Sequence, residues 1–236
     1  LSIGDRAVEL GALWQKPSLL MKTLTIDVVS DVVCPWCYIG KRRLERALAL
    51  LAVQQPDIEP EIRWHTFQLN PDLAPEGMAR ADYVFQKFGA GGVAKYEHIA
   101  KVGQEVGLSL AFDRITRQPN TVVPHSLIAA SEPGMNQDAM VEALFKAYFM
   151  DGRDLTEASV LMDIAESAGM SRSEAEHHLQ NSELHSQTIA SDRAAREMGI
   201  SGVPFFIFNR QVGLSGAHES ETLLNAINEA MSAPVN

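Results

Sequence analysis

Cys34 and Cys37 are the only cysteines in the 236-residue chain, and they stand three positions apart where a strand-like run meets a helical one. Leu24, Ile26 and Val28 recur at the two-residue period of a strand; Leu44, Ala47, Leu48 and Leu51 then recur at i, i+3, i+4 and i+7 of a helix. Pro35 suits the first helical turn, where a missing N–H and a fixed φ do no harm. The pattern predicts Cys34 at or just before the helix N-terminus and Cys37 one turn later on the same face. That spacing is within disulfide reach, which needs Cα atoms roughly 4.4–6.8 Å apart. Unpaired N–H groups and the positive end of the helix dipole favour a thiolate at Cys34, and the thiolate is the nucleophile. The pair reads as a redox-active dithiol. An inert buried pair is the bland alternative. No metal is expected, because zinc needs four ligands and the chain has no second Cys-x-x-Cys and no His-x₃₋₅-His. His177, His178 and His185 fall on a polar helical stretch and are read as solvated.

The formal net charge of −10 argues against a nucleic-acid surface, which rests on clustered Lys and Arg. The basic run Lys41-Arg42-Arg43 is one helical turn and is read as a solvated face. No apolar run approaches the 18 residues of a membrane span. No secretory signal is visible, since Asp5, Glu9 and Gln15 interrupt the first 20 residues. Met21-Lys22 has the look of a natural start, so residues 1–20 are expected to lie outside the fold as an extension. A cytoplasmic location is expected; thiols are kept reduced there, so a paired dithiol would be catalytic rather than a staple.

Along the chain, 23–30 predicts a buried central strand, a helix follows to about Ala52, and 61–67 predicts a second strand with Ile62, Trp64 and Thr66 on one side. Strand, helix, strand in about forty residues is a βαβ unit with parallel strands. From 79 to 198 the patterns are helical: 79–88, 92–106, 122–131, 136–149, 156–167 and 171–198, the last broken near Asn181, with Ser171 and Glu174 as a capping box. Strand character returns at 202–208 and 211–215 around Asn209-Arg210, a hairpin joined by two residues, before a last helix over 220–231. Strands from both ends of the chain must share a sheet. The expected organisation is therefore an α/β domain of residues 21–70 and 186–236 with an inserted helical subdomain over 71–185.

These motifs resemble the thioredoxin fold, and the long all-helical insertion narrows the likeness to its DsbA-like branch. The chain is most similar to the FrnE-type members through Ser30 to Gly40, Phe67-Gln68-Leu69-Asn70-Pro71, Pro119-Asn120-Thr121 with His125, Gly202 to Phe206, and Ser215-Gly216-Ala217. It departs from their pattern at Val122-Val123-Pro124-His125-Ser126, where Asp, Ala and Arg are expected. The resemblance implies catalysis by Cys34 and Cys37 beside a cis-proline at Pro204, with substrate contacts from Pro35, Trp36, Val203, Asn120, His125 and Ser215. The Val203 backbone would be open to a substrate strand. His125 is either a proton-transfer group or a helix-start histidine bonded to backbone, and Asp31 either gates a proton at Cys37 or caps a turn.

The implied function is thiol–disulfide oxidoreductase or isomerase chemistry on protein disulfides, with disulfide-containing or thiol proteins as partners. No bound cofactor is expected, and glutathione stays open as reductant or co-substrate. A second expectation, from the same branch, is a glutathione-dependent small-molecule enzyme of the 2-hydroxychromene-2-carboxylate isomerase or kappa-class transferase type. Those relatives generally carry Ser where this chain has Cys34. A third is a chaperone-like binding protein.

Overall fold

The structure, a computed structural model, describes residues 21–131 and 134–233. The expected extension over residues 1–20 lies outside the described residues. Strands β1 (Lys22–Ser30), β2 (Ile58–Thr66), β5 (Phe205–Phe208) and β6 (Val212–Ser215) form one sheet in the order β2-β1-β5-β6. β2 runs parallel to β1, while β5 is antiparallel to β1 and to β6. The two ends of the chain thus meet in one sheet, and β1 is its centre. Leu24, Ile26 and Val28 point into the main core with Phe206 and Phe208, whereas Val29 joins Phe67, Ala195 and Ile200 in a second cluster. Only the C-terminal end of β1 is apolar on both faces; Thr25 and Asp27, on the second face, are polar and half-buried.

Helix α1 (Pro35–Gln54) packs beside α9 (Ser220–Ser232), and the βαβ crossover is the one expected. Between β2 and β5 lie a two-stranded ribbon, β3 (Met78–Ala79) with β4 (Arg117–Gln118), and helices α2 (Arg80–Phe88), α3 (Gly92–Glu105), α4 (Val122–Ala130), α5 (Met135–Phe149), α6 (Ala158–Ser167), α7 (Arg172–Leu179) and α8 (Ser182–Glu197). Ser171 caps α7 in a reciprocal box with Glu174, and Asn181 caps α8 through Leu184 N–H, which sets the break between them. Position 185/186 falls inside α8.

Three expectations need correction. Lys41-Arg42-Arg43 is not a solvated face: Lys41 is 3% exposed. Its Nζ pairs with Glu45, Asp138 and Glu142 at 2.5, 3.0 and 3.2 Å, and Arg42 pairs with Glu142 as well. The run is where α1 meets α5, and Tyr38 stacks on Phe145 there (4.9 Å) while its hydroxyl donates to Glu142. His178 and His185 are half-buried, and burial pushes the His185 imidazole below its ordinary value. The β5–β6 connection has three residues, 209–211. Gln211 N–H donates to Phe208 O across Asn209 and Arg210, both at positive φ as a type I′ turn needs.

Candidate active site

The site begins where β1 ends. After Ser30 the chain turns through Asp31-Val32-Val33, and Cys34 N–H donates to Asp31 O at 3.0 Å. Cys34 takes the extended N-cap conformation of α1, Pro35 is the first helical residue, and Cys37 N–H donates to Cys34 O at 3.0 Å. Both thiols are free and buried. Burial pushes the Cys37 thiol well above its ordinary value and the adjacent Cys34 sulfur adds to the rise, against hydrogen bonds from Ser30 and the Asp31 backbone. Cys37 is therefore held as the neutral thiol.

Facing the dithiol is the loop before β5. The Val203–Pro204 peptide is cis, and the Cys34 thiol lies 3.6 Å from Val203 O. Two devices fix this loop against α1. A Cβ on Gly40 would stand 3.0 Å from Pro204 Cγ and 3.2 Å from Phe206, so glycine lets the helix and the loop approach closely. Arg43 Nη1 donates to Ala217 O at 2.5 Å, and Gly216 N–H donates to Pro204 O at 2.8 Å.

Beneath the turn lies Asp31, with no exposed surface. Its Oδ2 accepts from Leu69 N–H at 2.7 Å, and its Oδ1 from Val33 N–H at 3.4 Å. His125 Nε2, on α4, sits 3.3 Å from Oδ1, and His125 is 2% exposed. Asp31 thus ties the loop after β2 and α4 to the residue that precedes the dithiol turn. A second carboxylate repeats the device: Asp192 of α8 accepts from Gln68 N–H at 2.8 Å and holds Arg196 at 3.0 Å.

Cys34, Cys37, Pro35, Trp36, Val203 and Pro204 come together at one place, and His125 joins them through Asp31. Asn120 does not face the thiols. Its amide donates to Leu73 O and accepts from Val122 N–H, and it lines a 780 Å³ cavity along α8 that contains none of the dithiol residues. Ser215 is exposed on β6, paired with Phe205, and its carbonyl accepts from His218. Sequence reasoning passed over the neighbours of Trp36. Its ring faces His98 of α3 at 6.4 Å and shares a cleft with Phe88 and Lys95. These residues lie about fifty to sixty positions from the cysteines, with no motif to flag them.

A family model for the DSBA-like thioredoxin domain matches residues 25–228, and the chain belongs to that family. It is 24% identical over 212 residues to the uncharacterized protein YwbO of Bacillus subtilis (strain 168), covering 88% of this chain and 97% of that one. Among solved structures, it is similar to a probable DsbA oxidoreductase from Streptomyces coelicolor (26% identity, TM-score 0.80, 90% and 93% of the two chains). It shares its fold with a 2-hydroxychromene-2-carboxylate isomerase (18%, TM-score 0.65, 88% and 96%). The fold is also that of the cytosolic disulfide reductase DsbM of Pseudomonas aeruginosa, whose structure contains glutathione (20%, TM-score 0.55, 87% and 95%).

Proposed function

We propose that this chain is a thiol–disulfide oxidoreductase or isomerase that acts on protein disulfides through Cys34 and Cys37. The observation that carries the reading is the placement of Cys34 at the N-cap of α1, beside Val203 O, with Cys37 one turn inside the helix. In the reducing direction the Cys34 thiolate attacks one substrate sulfur, a mixed disulfide forms and the other substrate sulfur leaves as a thiolate. Cys37 then loses its proton and attacks Cys34 Sγ, which releases the second substrate thiol and leaves the Cys34–Cys37 disulfide. Two electrons pass from the dithiol to the substrate. Oxidation of a substrate dithiol runs the same steps backwards, and isomerisation occurs when a second substrate thiol resolves the mixed disulfide. Val203, next to Pro204, offers backbone to an extended substrate. Glutathione or another thiol returns the dithiol to its reduced form, and the cytoplasm is the compartment this chemistry suits.

A second reading, a glutathione-dependent isomerase or transferase acting on a small molecule, is supported by the shared fold with the 2-hydroxychromene-2-carboxylate isomerase. Turnover of a peptide disulfide by the parent, Cys34→Ser, Cys37→Ser and the double variant separates the readings. The dithiol enzyme loses all turnover with Cys34→Ser, and Cys37→Ser accumulates a mixed disulfide seen by mass. Small-molecule activity that survives Cys37→Ser, with no peptide turnover by the parent, would overturn it. Unchanged substrate binding and function in a folded double variant would favour the chaperone-like role instead.

A further inference from the structure

Next to the dithiol, the end of α2 and the face of α3 form a cleft whose charge runs against that of the chain as a whole. It holds 480 Å³ and is lined by Trp36, Phe88, Ala94, Lys95, His98 and Ile99. Trp36, inside the Cys-x-x-Cys motif, is one wall, with the His98 ring tilted 55° against it. Phe88 is another, and Lys95 Nζ stands 4.7 Å from its ring centroid. Lys87, outside the cleft, stands 5.6 Å from the same ring and donates to the Tyr83 hydroxyl at 2.7 Å. Such contacts contribute roughly 0.5–1 kcal/mol each at exposed sites and fix an ammonium in place without neutralising it.

Among the described residues, Lys87, Lys95 and His98 have no carboxylate partner. On α1, by contrast, Lys41, Arg42 and Arg43 are ion-paired, and Arg46 donates to the Glu105 carbonyl. Asp82 and Glu97 lie on the same two helices but do not line the cleft. A chain of net charge −10 repels acidic partners at long range, and the Lys95 ammonium, which lines the cleft without a carboxylate partner, offsets that repulsion where it matters for approach.

We propose that this cleft receives a polypeptide segment of the substrate, an acidic residue with an apolar neighbour, beside the reactive cysteine. The proposal rests on the thiol–disulfide exchange reading and names its specificity. The carboxylate meets Lys95, and the apolar side chain lies on Trp36, Phe88, Ala94 and Ile99. Glutathione has no apolar side chain for that floor, and one of its two carboxylates carries an ammonium on the same carbon, which Lys95 repels.

The test uses short peptides in which one cysteine, blocked as a thionitrobenzoate mixed disulfide, is followed by Glu-Leu, Gln-Leu or Lys-Leu. Reduced protein is mixed with each peptide, and the released thionitrobenzoate gives the rate of Cys34 attack. The parent is expected to favour Glu-Leu over Lys-Leu, and the preference should fade in high salt, where the Debye length falls to about 3 Å at 1 M. Lys95→Gln should slow the Glu-Leu peptide about 2–5-fold, the size of one part-exposed ion pair. Lys95→Glu should invert the order of the series. Ala94→Trp, which fills the cleft, should slow Glu-Leu with no such inversion, and Lys146→Gln, on α5, should leave the order as in the parent. Equal rates for the three peptides, or an order unmoved by Lys95→Glu, would overturn the proposal while leaving the exchange reading standing. A Lys95→Glu effect on glutathione disulfide but not on the peptides would assign the cleft to glutathione and overturn it too. No release from any peptide would refute the exchange reading itself.

Discussion

Removing the Asp31 carboxylate tests how the site is held. In Asp31→Ala, Leu69 N–H loses its 2.7 Å acceptor and His125 Nε2 its 3.3 Å partner; His125 is buried and Leu69 half-buried. Leaving a buried donor without an acceptor costs about 1–3 kcal/mol. Asp31→Ala orphans two such partners, so the expected loss is about 2–5 kcal/mol. Asn keeps one acceptor oxygen: aimed at Leu69 N–H, it turns its amide NH₂ toward His125, whose ring can accept in the right tautomer, and toward Val33 N–H, whose 3.4 Å bond is lost. Asp31→Asn should thus cost only about 1–2 kcal/mol, within the range of one hydrogen bond. The assay is urea unfolding of Asp31→Ala, His125→Ala and the double variant, with Asp31→Asn alongside and m-values compared to confirm equivalent transitions. Residues in contact are expected to couple by about 0.5–3 kcal/mol. Effects that add to within about 0.3–0.5 kcal/mol, or Asp31→Asn as costly as Asp31→Ala, would refute the reasoning.

Glycine 40 is predicted to be replaceable by nothing larger than Ala. A β-branched side chain cannot fit the 3.0 Å approach to Pro204 Cγ, so Gly40→Val should cost about 1–3 kcal/mol and slow peptide-disulfide turnover; a melting temperature and rate equal to the parent's would contradict this. Burial works against the Glu142 carboxylate, but Lys41, Arg42 and the Tyr38 hydroxyl outweigh it and hold the group below its ordinary value of 4.5. A carboxyl lowered on folding contributes stability above its unfolded value, and that contribution is lost as pH falls through the folded one. Glu142→Gln should therefore destabilise at pH 7, with a difference from the parent that narrows below pH 4.5; a constant difference across that window would refute the assignment.

The dithiol was the most legible part of the chain, because strand period, helix period and a proline at the first helical turn all place Cys34 at one helix end. The parallel pairing of β1 with β2 and the sharing of one sheet by both ends of the chain followed from the same logic, as did the Ser171 box and the Asn181 break; the antiparallel pairing of β1 with β5 did not. The start of β2 was hidden by Pro60. Proline demotes a strand assignment, yet β2 is an edge strand, where a missing N–H is tolerated. The unpaired side of that edge is covered, for Gln137 of α5 accepts from Trp64 N–H at 2.8 Å. The two-residue strands β3 and β4 carry no periodic signal at all.

The misread basic run shows the deeper limit. Lys41 is buried because Asp138 and Glu142, a hundred residues away, are presented to it by α5, and no local pattern reports such a partner. The same holds at the site. Asp31 and His125 were visible as candidates one by one, but their pairing depends on α4 crossing beneath the turn. The Lys95–His98 cleft depends on α3 lying against Trp36.

Cys34 and Cys37 should form one reversible redox couple, to be followed by equilibrium titration in glutathione buffers. Thiols are trapped by alkylation and counted by mass, with Cys37→Ser run alongside. A single two-electron transition to an internal disulfide, absent in Cys37→Ser, is expected at a potential between about −270 mV (thioredoxin) and about −120 mV (DsbA). A chain that forms no internal disulfide and instead holds glutathione non-covalently would contradict it.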